Sequence, residues 1–236
     1  MKHFYLWMII PFLFSCTMDN EKSNTQSIAP NHRTAGFPEN ISNEYDTAGK
    51  LHYDLCEAFD ISPSVISSLH EAVSATNGLA VGSQDFQLIV PGNYVSPSEQ
   101  QLSYIIENPQ RPVDVINQLA LSGKGKTSLL NFVNTLDFFK SQGMTYDEIY
   151  SFIVSYEDSI NQDVSFGEVD RKIIFTTTSI ARYAHYFTER RKKKKPVRDK
   201  DWDVSIGNLV AGSDGSQEST AKAVSMSVAV GLYNNK

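Results

Sequence analysis

At 236 residues, with 41% apolar and 20% charged side chains, the chain has room for one or two domains of ordinary globular composition, which excludes a chain too polar to bury a core. The formal charge of −6 hides an asymmetry, because residues 190–200 carry eight basic side chains against one Asp. The remainder is therefore strongly acidic, so a generally basic, polyanion-coating surface is excluded as well.

The chain opens with the short cationic start Met1-Lys2-His3, an apolar run from Phe4 to Phe14, and the closing quartet Leu13-Phe14-Ser15-Cys16. That order is the layout of a secretory signal: charged segment, short apolar segment, small residue at the cut. A spanning helix needs about 20 apolar residues, so this run is too short to be one. The quartet resembles the lipobox of bacterial lipoproteins, with Phe14 a bulkier variant of the usual residue. The resemblance implies cleavage after residue 15, a diacylglycerol thioether on Cys16 and acylation of its new amine. It places the protein on the envelope bilayer of a bacterium, in the outer membrane, facing the periplasm or the surface. Thr17 stands where an Asp retains many lipoproteins in an inner membrane. Asp19 and Glu21 resemble the acidic export signals of some Bacteroidota lipoproteins. With Cys16 committed to lipid, Cys56 is alone. No intramolecular disulfide is then available, and Cys56 is expected as a packed, inert thiol.

Residues 16–42 are polar and rich in Asn, Ser, Thr and Pro. They read as a lipidated, disordered tether with a root-mean-square reach of roughly 30 Å. The first helix is expected near Asn43, with Asp46 three residues on, and Tyr45, Ala48, His52, Leu55 and Phe59 at helical spacing. Ser62-Pro63 predicts the start of a second helix, which Asn77-Gly78 should stop. Phe86–Val90 fits a lone strand or a buried loop. Capping boxes are expected at Ser96 with Glu99, Thr145 with Glu148 and Ser165 with Glu168. Further helices are expected near Pro112–Ser122 and Thr127–Ser141. Beyond the basic run, residues 201–236 are rich in small side chains. Their alternating Val224, Met226, Val228, Val230 and Leu232 would suit a strand, but a helical hairpin around a loop at 212–217 fits better. The expected architecture is all-α: a signal peptide (1–15), the tether (16–42), a helical domain (43–189), a basic linker (190–200) and the hairpin (201–236). Seven to nine helices are expected in one domain.

Chemistry-bearing patterns are few. Ala120 to Thr127 satisfies a permissive phosphate-loop pattern, but a helix rather than a buried strand precedes it, so a helix–loop–helix turn is expected. Among the histidines of the domain, His52, His70 and His185, no metal-ligand spacing occurs, and neither metal nor cofactor is expected. His52 shares a helix face with Tyr45 and Phe59, as a core histidine would. The sharper alternative makes it a general base beside Asp46 or Glu57. Arg190, Arg191, Lys192, Lys193, Lys194, Lys195 and Arg198 form a candidate anion-binding run at a helix C-terminus, where cations suit the dipole. The run suits a lipid headgroup or an anionic envelope polymer. No aromatic residue interleaves it, so nucleic acid is not expected.

Asn43-Glu44-Tyr45-Asp46-Thr47-Ala48-Gly49-Lys50-Leu51-His52 resembles the N-P-Y-D-x-x-G-x-x-H-N opening of a family of uncharacterised secreted proteins and lipoproteins, mostly of Bacteroidota. Ser179-Ile180-Ala181-Arg182-Tyr183-Ala184-His185-Tyr186-Phe187 resembles their later S-I-x-R-Y-S-x-x-Y-W segment. Glu44 and Tyr53 stand where the family has Pro and Asn. The resemblance implies shared architecture and a secreted setting, and it carries no activity. The expected function is a membrane-anchored helical module that binds a ligand or a protein partner. The alternatives are an envelope hydrolase using His52 with nearby carboxylates, and a bacteriocin-like protein acting through its small-residue tail.

Overall fold

In the computed structural model, residues 37–107, 111–194 and 203–236 are described, and they form ten helices with no strand. They are α1 Asp46–Ile61, α2 Leu69–Gly82, α3 Gln84–Ile89, α4 Glu99–Ile106, α5 Arg111–Gln118, α6 Gly123–Ser141, α7 Tyr146–Gln162, α8 Glu168–Lys194, α9 Ile206–Ser216 and α10 Thr220–Asn234. The all-α expectation holds. The helix count exceeds seven to nine because Phe86–Val90 is neither strand nor loop. Ser83 accepts from the N–H of Phe86, and that short helix buries Phe86.

The local signals were shifted in several places. Asn43 does not cap α1; its carboxamide accepts from the N–H of Tyr45 while its amide group reaches into the core. Ser62-Pro63 does not open α2. The capping box is Ser68 with Glu71, and residues 63–67 stay outside the helix, with Val65 exposed. Asn77-Gly78 does not stop α2 either, since Gly78 faces open space and the helix runs on to Gly82. The box expected at Ser96 sits two residues later, at Ser98 with Gln101. Thr145 with Glu148 forms as expected, whereas Ser165 turns its hydroxyl to Asp163 instead.

Two long-range packings organise the molecule. The first is α10 against α9, α2 and α1. Every residue from Ala221 to Leu232 is buried, so α10 is enclosed on all sides. An all-round buried helix has no polar face to give it a 3.6-residue period, which is why its sequence could look strand-like. It lies so close to α9 that a Cβ on Gly215 would sit 2.7 Å from the amide nitrogen of Ala223. The loop expected at 212–217 is mostly the end of α9, and the turn is confined to 217–219.

The second packing is α1 against α8. A Cβ on Gly49 would come within 2.4 Å of the Ser179 carbonyl oxygen and of the Tyr183 ring. The N–H of Gly49 donates to the Ser179 hydroxyl at 2.8 Å, and that hydroxyl donates to the carbonyl of Asp46 at 2.9 Å. The expected tether and linker boundaries both move. Residues 37–42 pack on the domain, with Pro38 and Asn40 buried, and α8 carries the first five cations of the basic run as helix.

Candidate functional site

The domain interior holds a carboxylate that the sequence reading missed. Glu157 is fully buried on the same stripe of α7 as Ile149, Ile153 and Ile160. A charge at such a position has to be paired and hydrogen-bonded, because burying it bare would cost several kcal/mol. Its partner is Arg182, also fully buried, whose Nε lies 3.1 Å from Glu157 Oε2. Glu157 Oε1 accepts from Asn43 Nδ2 and from the Thr178 hydroxyl, each at 2.6 Å, and Oε2 accepts from Asn40 Nδ2 at 2.7 Å. Arg182 Nη2 donates to Asp46 Oδ1 at 2.5 Å, and Nη1 donates to the carbonyl of Pro38. Asp46 Oδ2 also accepts from the Tyr183 hydroxyl at 2.9 Å. Burial opposes the charge on Arg182, but Glu157 and Asp46 outweigh it and hold the guanidinium above its ordinary pKa. Burial, then Asp46, raises the Tyr183 hydroxyl well above its ordinary value, so it stays a donor.

This network joins the two short motifs of the sequence. Asp46 and Gly49 from the first meet Ser179, Arg182 and Tyr183 from the second, and Asn43 reaches Arg182 through Glu157. It also fastens the start of the described chain: Tyr150 donates to the Glu39 carbonyl at 3.0 Å and Asn161 to the Ser42 carbonyl at 3.1 Å. Chemically the arrangement is saturated, and its groups hold one another.

Asp46 and His52, the sequence-predicted polar pair, occupy different surroundings. Six residues apart, they lie about 120° apart around the helix axis. Asp46 is engaged by Arg182 and Tyr183. His52 is 1% exposed, and among the described residues its ring nitrogens meet only the Cys56 sulfur, at 3.9 and 4.0 Å. Burial lowers the imidazole pKa to about 4 and raises the Cys56 thiol far above its usual range, so both are neutral at pH 7. Glu57, the other suggested orienting carboxylate, instead accepts from the Tyr53 hydroxyl at 3.0 Å.

The basic run is divided. Arg190 lies over the ring of Tyr186, one turn earlier on α8, whereas Arg191 Nε pairs with Asp60 at 2.9 Å and ties α8 to α1. Lys192 is exposed at the edge of a cavity beside His185. Lys193 and Lys194 belong to α8, while Lys195 and Arg198 lie outside the described residues, as does Cys16.

The phosphate-loop-like stretch is the start of α6 and follows a helix. Its N-terminal end is already occupied: Asp170 accepts from the Ser122 N–H at 2.8 Å and its hydroxyl at 2.7 Å. Lys124 pairs with Asp163. Concavities open on the surface of the described residues, two of them sizeable. One, of about 540 Å3, lies between α1 and α2 over Leu55, Phe59 and Leu79. The other, of about 350 Å3, lies where α6, α7 and α8 meet. Among the described residues, no group of His, Cys, Asp and Glu is placed to hold a metal ion, and no helix is long and apolar enough to cross a membrane. Compared with protein-family models, curated proteins and solved structures, the chain matches none.

Proposed function

We propose that the chain is a bacterial envelope lipoprotein, held to the outer membrane by acylated Cys16, whose helical domain is a binding module for a ligand or protein partner. The observation that carries this reading is the enclosure of His52. At 1% exposure, with Cys56 Sγ beside its nitrogens, the imidazole offers no face to a substrate. A hydrolase built on His52 needs that face and a free carboxylate, and Asp46 is taken by Arg182. The bacteriocin-like alternative needs the tail to leave the domain, yet α10 is enclosed along its whole middle. The open concavities favour binding at the surface, and the cations at the end of α8 suit an anionic headgroup or polymer there.

Intact-mass analysis of membrane fractions tests the anchor. Loss of residues 1–15 with added acyl mass is expected, and Cys16→Ser should release the protein. A Cys16→Ser variant that fractionates like wild type without lipid mass would sink the assignment. For the domain, His52→Gln should leave the cellular phenotype intact wherever the variant is folded. A folded variant with a lost phenotype would favour the hydrolase.

A further inference from the structure

The cavity where α6, α7 and α8 meet serves no part of the buried network. Its apolar wall is Met144, Ile149 and Val204, and α8 presents His185, Thr188 and Lys192 to it, spaced three and four residues apart on one helix face. At about 350 Å3 it is near the lower end of small-molecule pockets, roughly 300–1,000 Å3. Lys140 and Asp203 also line it but neutralise each other at 2.6 Å, and Lys140 donates further to the carbonyl of Val204. Among the described residues, His185 and Lys192 take part in no hydrogen bond or ion pair. Burial and then Lys140 outweigh Asp203, with Lys192 adding to them, and lower the His185 pKa to about 4. The ring is therefore neutral at pH 7, with one N–H to donate.

Charge selects the ligand. Lys192 is exposed at the cavity edge and pairs with no carboxylate among the described residues, so it leaves one positive charge for an anion. With Lys140 and Asp203 paired, Glu189 at the same cavity adds a negative charge that disfavours a dianion such as phosphate. The apolar wall asks for a hydrocarbon part. We propose that this cavity binds a small monocarboxylate, with Lys192 and the His185 N–H on the carboxylate and Met144, Ile149 and Val204 against the hydrocarbon. This names a ligand class for the binding module proposed above and rests on that reading.

The test titrates the full chain, 13C-labelled at histidine, with benzoate, its neutral isostere benzamide, and inorganic phosphate, following the imidazole resonances by NMR. The resonance absent from His185→Gln identifies His185. Benzoate should shift it saturably, with benzamide and phosphate at least tenfold weaker. Lys192→Gln, exposed and so expected to stay folded, should weaken benzoate about fivefold. His185→Phe, checked for folding by its thermal transition, should abolish binding by filling the cavity. Equal binding of benzamide, preference for phosphate, or a benzoate response that leaves His185 unmoved would overturn the assignment. The same samples incubated with 4-nitrophenyl butyrate separate this failure from that of the module. Turnover lost in folded His52→Gln would overturn the module reading, whereas absent benzoate binding without turnover overturns only the carboxylate assignment.

Discussion

Arg182 and Glu157 each depend on the other for a tolerable burial. Arg182→Met should cost about 3–5 kcal/mol in urea unfolding, because it leaves Glu157 as an unpaired buried carboxylate. Replacing both by Met should cost less than Arg182→Met alone, since no charge is then left bare. A double variant no more stable than the single one would mean that packing, rather than pairing, dominates. His52 gives a pH signature. Its pKa is about 4 folded and about 6.5 in an unfolded chain, so as pH falls below 6.5 the unfolded state takes up the proton first. Stability is thus lost between pH 6.5 and about 4, by up to roughly 3 kcal/mol from this residue. His185 acts in the same direction. His52→Leu should flatten that acid slope in denaturation curves, leaving the His185 part, and an unchanged slope would contradict the burial argument.

Among the elements, α4 and α1 offer the sharpest contrasts. Ser98 caps α4, while Ser96 gives its carbonyl to Lys222 and its side chain to the Tyr94 hydroxyl, so Ser98→Ala should cost about 1 kcal/mol and the exposed Ser96→Ala less. The reverse order in thermal melts would restore the capping box expected from sequence. Gly49→Ala pushes a methyl group into the Ser179 carbonyl and the Tyr183 ring. Overpacking of this kind costs about 1–3 kcal/mol or more, because α1 and α8 must separate. Gly78→Ala meets nothing within 4 Å and should raise stability slightly through helix propensity. The two glycines differ only in what faces them.

At the scale of the whole described chain, residues 37–43 lead into α1 through buried contacts. A pull on the chain from its N-terminal side would reach Pro38, Asn40 and Asn43, all three held by Arg182 or Glu157, rather than a fraying helix end. Removing residues 1–42 should therefore destabilise the domain by more than loss of a disordered leader would, as calorimetry would show. No change would return residues 37–42 to the tether. The basic run also divides by load. Replacing Arg190 and Arg191 with Ser should lower stability, because the Arg191–Asp60 pair between α8 and α1 and the Arg190 contact over Tyr186 are both removed. Lys192→Ser should move it by less than about 0.5 kcal/mol.

Helix content and the apolar faces of α1, α6, α7 and α8 were legible in the sequence, because a 3.6-residue period is a local property that survives without tertiary information. The Thr145 box was legible for the same reason: both of its partners lie within one turn. Tertiary structure decided the rest. Ser96 and Ser98 both precede a residue able to close a box, and tertiary contacts separate them: Lys222 packs on the Val95 and Ser96 carbonyls, and the Ser96 side chain bonds Tyr94. Periodicity failed for α10 because a helix covered on every side shows no polar face. Glu157 could have been noticed as a charge on an apolar stripe, but its partners lie 25 residues away at Arg182 and 114 away at Asn43. Which charges meet across that distance is set by how α1, α7 and α8 pack. Asp46 and His52 looked like a site because they are close in sequence, and the helix turns them into different surroundings. His185 and Lys192 share a cavity wall for the converse reason: seven residues is two helical turns, and α6 and α7 close the other sides.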